Sequence, residues 1–552
     1  MKMKSASSST KIFNLVSATV CMIVLYYSCL VPTLMARLEL GMIPELVIAI
    51  VLALSSFLFL SFFYDAIFRG IRRLNEWLWE RSLRLNEKDK RIILCGFSLL
   101  FVIVYLVRCF DSTFWFDEAF GITYYAQPSF REVLKYALWE KTMPPLYNYF
   151  INALSHVLGQ KTFVYHFSAL IPIIIILLIN IFEITQRYGY IVSMELCFFL
   201  GLSTPLTHYA VEVRSYSWSM LFVFLCGYSA ICFLQEERKS HKVLFVISGI
   251  LSAYTHYFAL VAVCSIYLVL LLHILLVKKN RNKLGFFFYA VFFSIISYLP
   301  WAVVFLRSVK EISDYSPHGN IDMNVFVVIW HCFSLFVGER GIVFWSLLLC
   351  TLMFQGLFGK KDNKHGKEVC ILLMPSFIVA IFGITYNKMV HMNVFIPKYL
   401  APTSVLVILI FAILFASTQY RYLMASFIMA LSIVLFTPHY IENVRREQIN
   451  HKMTQESLHT ISECVDDNTV YLVDDDCWPQ LLSTVYLHRP SELYEEQKAF
   501  DYIKGGKKVL YFCFRGDEGE KKADKDIGID MQKLAELFLL EKDYDLYEVK
   551  IR

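Results

Sequence analysis

Two adjacent carboxylates, Asp117 and Glu118, stand in a run of aromatic residues just after an apolar segment. In many loops such a pair is only a solvated surface feature. Here Phe114, Trp115 and Phe116 would lie at a membrane interface and leave the acids partly desolvated, which raises the basicity of a carboxylate. The pattern therefore favours a general base, or a base combined with a metal ligand.

A second group, Glu212 and Arg214, follows the end of another apolar segment and is also flanked by aromatic residues. Two interpretations stay open for it. The two side chains pair with each other, or Arg214 faces an anionic phosphate while Glu212 joins the carboxylate cluster. Arginine suits phosphate because its planar guanidinium donates two parallel hydrogen bonds.

Two further cations, His256 and Lys398, occupy the boundaries of apolar segments. A single histidine in such a place is more often a buried structural residue. A lysine at a boundary often only extends its amine to the interface. Either side chain gains a functional interpretation, as a phosphate ligand, if it faces the same side of the membrane as the acids.

The composition indicates that membrane helices position these residues. The chain has 552 residues, of which 57% are apolar and 18% charged, and its mean hydropathy is +0.52. Soluble globular chains carry about a quarter charged residues, so a large soluble core is excluded, as are collagen, disorder and a coiled-coil rod. The net charge of +5 is too balanced to indicate a nucleic acid partner.

Apolar runs of the length that a helix needs to cross a bilayer recur along the chain. They predict a mostly helical, polytopic membrane bundle of about thirteen transmembrane helices. We interpret the segment 144–159 as a juxtamembrane or re-entrant helix, because counting it as a span would reverse every later loop. The predicted spans are 12–36, 42–64, 92–108, 163–184, 190–206, 216–234, 243–258, 259–277, 285–305, 342–358, 369–386, 399–416 and 422–438.

Basic residues orient the bundle, because lysine-rich and arginine-rich loops stay on the cytoplasmic side. Lys2, Lys4 and Lys11 place the N-terminus in the cytoplasm, and the eight Lys/Arg residues of segment 69–91 place that segment there too. Alternating spans then put the acids and the candidate phosphate ligands on the extracytoplasmic face of a plasma or bacterial inner membrane. The other basic segments on the cytoplasmic side are 236–242, 278–283 and 360–367.

Acids and cations that share one membrane face suit a reaction between a membrane-anchored substrate and a molecule outside the membrane. A transporter would instead place its site near the bilayer midplane, on broken helices.

After His439 the composition becomes charged and mixed, which predicts a small extracytoplasmic α/β domain over 440–552. This domain lacks a Gly-rich phosphate loop and is expected to be accessory. Before it, residues 1–90 are expected to form two helices with a basic cytoplasmic loop, and 91–439 a membrane domain with first external loop 109–162. The predicted strands of the tail are 470–473, 509–514 and 546–551, and its predicted helices are 453–464 and 530–541.

Six short elements, in order across residues 95–400, resemble family 39-like glycosyltransferases of the GT-C fold. Methionine, histidine and lysine at Met143, His166 and Lys398 replace the usual histidine, arginine and arginine of that family. The elements are 115–119 (WFDEA), 144–148 (PPLYN), 165–170 (YHFSAL), 209–216 (YAVEVRSY), 254–257 (YTHY) and 397–400 (PKYL).

The resemblance implies that 91–439 are the GT-C-like catalytic domain and that the two helices of 1–90 are an addition. It implies an enzyme that moves a sugar from a polyprenyl-phosphate or polyprenyl-diphosphate lipid to an acceptor on the outer face. A direct displacement would invert the anomeric centre. It implies that Asp117 deprotonates the acceptor hydroxyl, that Glu118 positions it or shares the role, and that Glu212 is a second carboxylate. Arg214 and Lys398 would hold the donor phosphate. Further residues that it assigns to binding of the substrate or the lipid phosphate are Tyr147, Tyr216 and His256.

Several alternatives stay open. Asp117 and Glu212 either hold a divalent ion such as Mg²⁺ or Mn²⁺ or act without one. The acceptor is a lipid, an envelope glycan or a protein. The runner-up activity is that of an envelope polysaccharide ligase or polymerase with a diphosphate-linked glycan donor, and a transporter or flippase is a distant third.

Overall fold

The computed structural model describes the protein over residues 42–235, 238–312, 366–390, 395–417, 421–473, 491–514, 529–539 and 542–551. Within these ranges the protein is mostly helical and has one small mixed sheet near its C-terminus. The predicted spans 12–36 and 342–358 lie outside the described residues.

The helices before residue 210 include those on either side of the predicted first external loop, 109–162. They are α1 (Met42–Arg84), α2 (Glu87–Asp111), α3 (Phe116–Gly121), α4 (Phe130–Glu140), α5 (Leu146–Leu158), α6 (Thr162–Ile179), α7 (Thr185–Tyr188), α8 (Tyr190–Leu202) and α9 (Thr204–Tyr209). Short π-helical turns at Ile122–Ala126 and Asn180–Ile184 follow α3 and α6.

The later helices are mostly long and apolar. They are α10 (Tyr216–Gln235), α11 (Lys239–Thr255), α12 (Tyr257–Leu276), α13 (Leu284–Ile312), α14 (Gly366–Val390), α15 (Ser404–Ala416), α16 (Arg421–Cys464) and α17 (Glu496–Lys504). Two 3₁₀ turns, Lys278–Lys283 and Pro397–Thr403, precede α13 and α15.

Seven helical segments of the described structure are long and apolar enough to cross a membrane. They coincide with seven predicted spans, those that start at residues 92, 163, 216, 259, 285, 369 and 399. The prediction of a mostly helical chain with several candidate membrane spans is confirmed. The number of thirteen spans and their orientation stay predictions.

The other predicted spans within the described residues lie in helices that are shorter or longer than a span. The predicted span 190–206 corresponds to the shorter α8, and 243–258 to the 17-residue α11. The spans 42–64 and 422–438 lie within the much longer α1 and α16. Segment 144–159 forms the 13-residue α5, about 20 Å long, which is shorter than a hydrocarbon core of about 30 Å.

Two compact units divide the chain, and the first comprises Met1–Val102, Pro172–Ala210 and Tyr216–His439. Its most buried span is α10, which packs against α11 and α12. Gly201 of α8 lies against the ring of Phe101, where an added Cβ would come within 2.4 Å of ring carbons. Small residues permit such close approach of membrane helices, where lipid provides no hydrophobic driving force between them.

The second unit comprises Ile103–Ile171, Val211–Ser215 and Tyr440–Arg552. It therefore contains the predicted first external loop as well as the chain after His439. Within the loop, α4 begins at a cap in which Glu132 Oε2 accepts the Ser129 N–H at 3.0 Å, and α5 is followed by Gly159 with φ of 95°. The predicted boundaries at residues 90 and 440 stay a prediction.

The sheet of the second unit has five strands in the order β2-β1-β3-β5-β4. Strands β1, β2 and β3 are parallel, whereas β5 is antiparallel to both β3 and β4. Its core contains Leu472, Val509, Tyr511 and Val549. The strands are β1 (Thr469–Val473), β2 (Ser491–Leu493), β3 (Lys508–Phe514), β4 (Ile529–Leu539) and β5 (Lys542–Ile551).

The three predicted strands of the tail and the predicted helix 453–464 are confirmed, but the predicted helix 530–541 is wrong. This segment forms β4, which pairs with β5 along its length and has an irregularity between Lys533 and Ala535. Its Met, Gln, Lys, Leu, Ala and Glu residues favour a helix in isolation. Cross-strand pairing and the burial of Leu537 and Leu539 override that preference.

Candidate functional site

The first-loop acids belong to α3, and the buried one of the pair is Glu118, which is 3% exposed. One carboxylate oxygen, Oε2, accepts the backbone N–H of Trp115 at 3.1 Å. The other, Oε1, accepts the N–H of Val213 at 2.6 Å. Glu118 therefore ties the start of α3 to segment 211–215 by charge-assisted hydrogen bonds, which are the stronger kind.

Asp117, the neighbouring acid, is more accessible, and its side chain is 28% exposed. The guanidinium of Arg214 lies against it: Nη1 is 3.3 Å from the Asp117 carbonyl oxygen, and Nη2 is 3.7 Å from Oδ2. The second distance exceeds that of a hydrogen bond but allows Coulomb attraction. The structure thus places an acid and a cation side by side at a partly open position.

Met143, at the position where the family pattern has histidine, contacts Arg214 and Ser215. Its sulfur is 3.7 Å from Arg214 Nη2 and 3.5 Å from Ser215 Oγ. An apolar, polarizable thioether therefore lies next to the guanidinium, where a histidine would have added a second titratable group. The neighbouring acid in the sequence, Glu212, is buried, with 4% of its surface exposed.

Tyr147 is also buried in this neighbourhood. Its hydroxyl is 3.3 Å from Ser168 Oγ. Burial raises the pKa of Tyr147 above the usual tyrosine value, and the charges of Glu118, Arg214 and Glu212 act on the same hydroxyl. The phenol is consequently a neutral hydrogen-bonding group at physiological pH, close to the predicted acids and to Arg214.

His166, which replaces an arginine of the family pattern, contacts the backbone of segment 211–215. Its Nδ1 is 2.7 Å from the Val211 carbonyl oxygen and 4.0 Å from Glu118 Oε1. The ring of Phe114 stacks on the imidazole, with centroids 4.9 Å apart. The replacement thus has a structural use, because it joins the first loop to segment 211–215.

The donor set does not favour a metal at Asp117 and Glu212. Among the described residues, no group of three or more His, Cys, Asp or Glu side chains is placed to hold an ion. Arg214 already faces the Asp117 carboxylate, and a guanidinium would repel a divalent cation there. Whether Asp117 and Glu212 hold Mg²⁺ or Mn²⁺, which the sequence leaves open, stays untested.

The other three predicted site residues, Tyr216, His256 and Lys398, come together in the first unit. Tyr216 begins α10, and its ring centroid is 5.7 Å from that of His256. His256 lies between α11 and α12, where its Nδ1 accepts the N–H of Phe258. Lys398 Nζ lies 5.9 Å from the Tyr216 ring centroid and 5.8 Å from that of Tyr399, which is the geometry of cation–π contacts.

One buried charge was not singled out in the sequence. Arg108, at the end of an apolar run, forms a two-pronged ion pair with Glu447 of α16. An ionisable residue near the end of a membrane segment was the available signal. Its partner, 339 residues away, could not have been identified from the pattern.

Comparison with solved structures finds proteins of similar fold. Crystal structures of ArnT from Cupriavidus metallidurans match with TM-scores of 0.54 in the apo state and 0.55 bound to undecaprenyl phosphate. Sequence identities are 11% and 10%, over 82% and 84% of this chain and 98% of each ArnT chain. No protein-family model and no curated protein matches the chain. The chain is therefore structurally similar to the GT-C glycosyltransferase ArnT over most of its length, which confirms the predicted resemblance at the level of the fold.

Proposed function

We propose that the protein is a membrane glycosyltransferase that transfers a sugar from a polyprenyl-phosphate donor to an acceptor hydroxyl. The acceptor is a glycan, a lipid or a protein on the extracytoplasmic face of the plasma or inner membrane. One observation carries the proposal: Asp117 and Arg214 lie side by side, 3.7 Å apart, on backbone that Glu118 holds in place. The ArnT-like fold supports it, since one ArnT structure contains undecaprenyl phosphate.

The reaction needs a base on the acceptor side of the anomeric carbon and a cation on the side of the departing lipid phosphate. Asp117 takes the proton of the acceptor hydroxyl, and the acceptor oxygen forms a bond to the anomeric carbon of the sugar. The bond between that carbon and the lipid phosphate oxygen breaks, and the phosphate leaves with the electron pair. Arg214 stabilises the charge that develops on the departing phosphate. Direct displacement inverts the anomeric centre.

The other residues have supporting roles in this proposal. Both Glu118 carboxylate oxygens accept backbone hydrogen bonds, which favours a positioning role over a shared role as base. Glu212 adds a second carboxylate, and Tyr147 offers a neutral hydroxyl to the substrate. For Tyr216, His256 and Lys398 we keep the predicted role, which is binding of the substrate or the lipid phosphate.

The test compares wild type with Asp117→Asn in reconstituted bilayers that contain radiolabelled polyprenyl-phosphate sugars and a membrane extract as the source of acceptor. We expect sugar transfer to fall at least about 100-fold, the usual contribution of a general base, while donor binding is retained. The matched control is Glu132→Gln, an exposed acid of the same loop, which should leave transfer within about twofold of wild type.

Other outcomes would change the assignment. Transfer that survives in Asp117→Asn would exclude Asp117 as the base. Absence of transfer from every monosaccharide lipid, with transfer from a diphosphate-linked glycan instead, would favour the ligase or polymerase.

A further inference from the structure

Arg108 is a buried arginine in the last turn of α2 and is 3% exposed. Its Nε is 3.0 Å from Glu447 Oε2, and its Nη2 is 2.5 Å from Glu447 Oε1. The guanidinium also lies 5.6 Å from the centroid of the Tyr440 ring. All three residues belong to the second compact unit, and the two partners of Arg108 lie on α16.

Such a pair fixes geometry more than it adds stability. Removing two charges from water offsets most of their attraction, so buried ion pairs contribute little net free energy. The planar guanidinium nevertheless meets a carboxylate with two parallel bonds in one orientation. Loss of Glu447 would leave the charge of Arg108 buried and uncompensated, whereas the Glu447 side chain is 21% exposed. The pair therefore holds the end of α2 at a defined position on α16.

The end of α2 leads directly to the proposed site. The N–H and the hydroxyl of Ser112 both donate to the Arg108 carbonyl oxygen, at 2.9 and 2.8 Å. Two residues later, Phe114 stacks on His166, which is bonded to the Val211 carbonyl. Glu118 then closes the connection by accepting the Val213 N–H.

We propose that Arg108 and Glu447 are positioning residues that couple the chain after Tyr440 to the acid pair of the first loop. The C-terminal part is thereby a component of the active site's support, beyond the accessory role predicted from its composition. The coupling sets the placement of Asp117 relative to Arg214 without touching substrate. This inference rests on the proposed function for its effect on rate, although its structural part can be tested separately.

The test uses the full-length protein with Glu447→Gln, which keeps the shape of the side chain and removes its charge. We expect kcat for sugar transfer to fall about 10- to 100-fold, the scale of a small misplacement of reacting groups, with donor KM within about threefold. The matched control is Asp545→Asn, the same chemical change in the Lys533–Asp545 ion pair of the same unit, which should leave kcat within about twofold.

The double variant Arg108→Met/Glu447→Met separates positioning from simple charge compensation. It strands no charge, and such apolar replacements of a buried pair usually stay folded. We expect normal donor binding and a kcat that stays low, because the two parallel hydrogen bonds that orient the end of α2 are lost. Recovery of wild-type kcat in the double variant, or parallel loss of donor binding and transfer in Glu447→Gln, would overturn the positioning role.

A readout independent of activity completes the design. Hydrogen–deuterium exchange of peptides that cover 108–118 and 211–215 should be faster in Glu447→Gln than in wild type or Asp545→Asn. Unchanged exchange in both peptides would refute the coupling, whatever the protein's activity. An inactive wild type with faster exchange in the variant would instead refute the proposed function and keep the coupling.

Discussion

The buried hydrogen bonds of Glu118 allow a quantitative prediction for Glu118→Gln. The substitution preserves the size of the side chain but turns one carboxylate oxygen into an NH₂ group. Because both oxygens accept backbone N–H groups, from Trp115 and Val213, the new donor must face one of those donors. At least one buried hydrogen bond is therefore lost, and the remaining one no longer has a charged acceptor.

The expected cost follows from these contacts. A hydrogen bond to a charged group contributes about 1.5–3 kcal/mol, and a buried donor without an acceptor costs about 1–3 kcal/mol. We therefore expect Glu118→Gln to lower the free energy of unfolding by about 2–4 kcal/mol. If the same free energy orders segment 211–215 beside Asp117, sugar transfer falls about 30- to 1,000-fold.

The assay measures thermal unfolding and sugar transfer of Glu118→Gln beside Glu132→Gln. The control makes the same change in a similar cap, since Glu132 also accepts the N–H of the residue three positions earlier, but at an exposed site. It should shift stability by no more than about 0.5 kcal/mol. Equal stability of the two variants would refute the reasoning. Loss of transfer without loss of stability would indicate that Glu118 itself acts as the base.

Two further predictions concern buried groups elsewhere. Burial raises the pKa of Tyr147, so the stability that its protonated hydroxyl provides is present below the ordinary tyrosine pKa of 10.0 and is lost at higher pH. We expect Tyr147→Phe, which loses the contact with Ser168, to be about 1 kcal/mol less stable near neutral pH. That deficit should shrink above pH 10 in denaturation curves measured across pH, and a constant deficit would contradict the assignment. Gly201→Ala should lower stability by about 1–3 kcal/mol because its Cβ meets the Phe101 ring; the control Gly70→Ala, with nothing within 4 Å, should be neutral or slightly stabilising in the same thermal assay.

The sequence predicts a candidate site of acids and cations at segment boundaries, because chemistry at a membrane face needs such groups, and the roles of these residues stay predictions. Asp117, Glu118, Tyr147, Glu212 and Arg214 do share one unit of the structure. What the pattern could not assign was the partner of each side chain. Only the fold shows that the Arg214 guanidinium lies against Asp117 and that Glu118 bonds to the backbone.

The elements that depend on local hydropathy could be predicted from the sequence. The elements that depend on pairing with distant residues could not. The long apolar helices follow from runs of about 20 residues, because lipid forces each backbone to satisfy its own hydrogen bonds. Strand β4 was mistaken for a helix because its residues favour a helix locally, while its pairing with β5 depends on residues beyond the segment. The membership of segment 211–215 in the second unit likewise depends on bonds to residues about 100 positions earlier.

The burial of α10 affects how this protein enters its membrane during synthesis. Among the seven candidate spans of the described structure, α10 is both the most buried and the least hydrophobic. Serines 217, 219 and 229 on this helix are fully buried, so neighbouring helices rather than lipid surround these side chains. We expect insertion of α10 into a bilayer to depend on the helices that pack around it, and Ser217→Leu to favour insertion while overfilling the space that packing leaves.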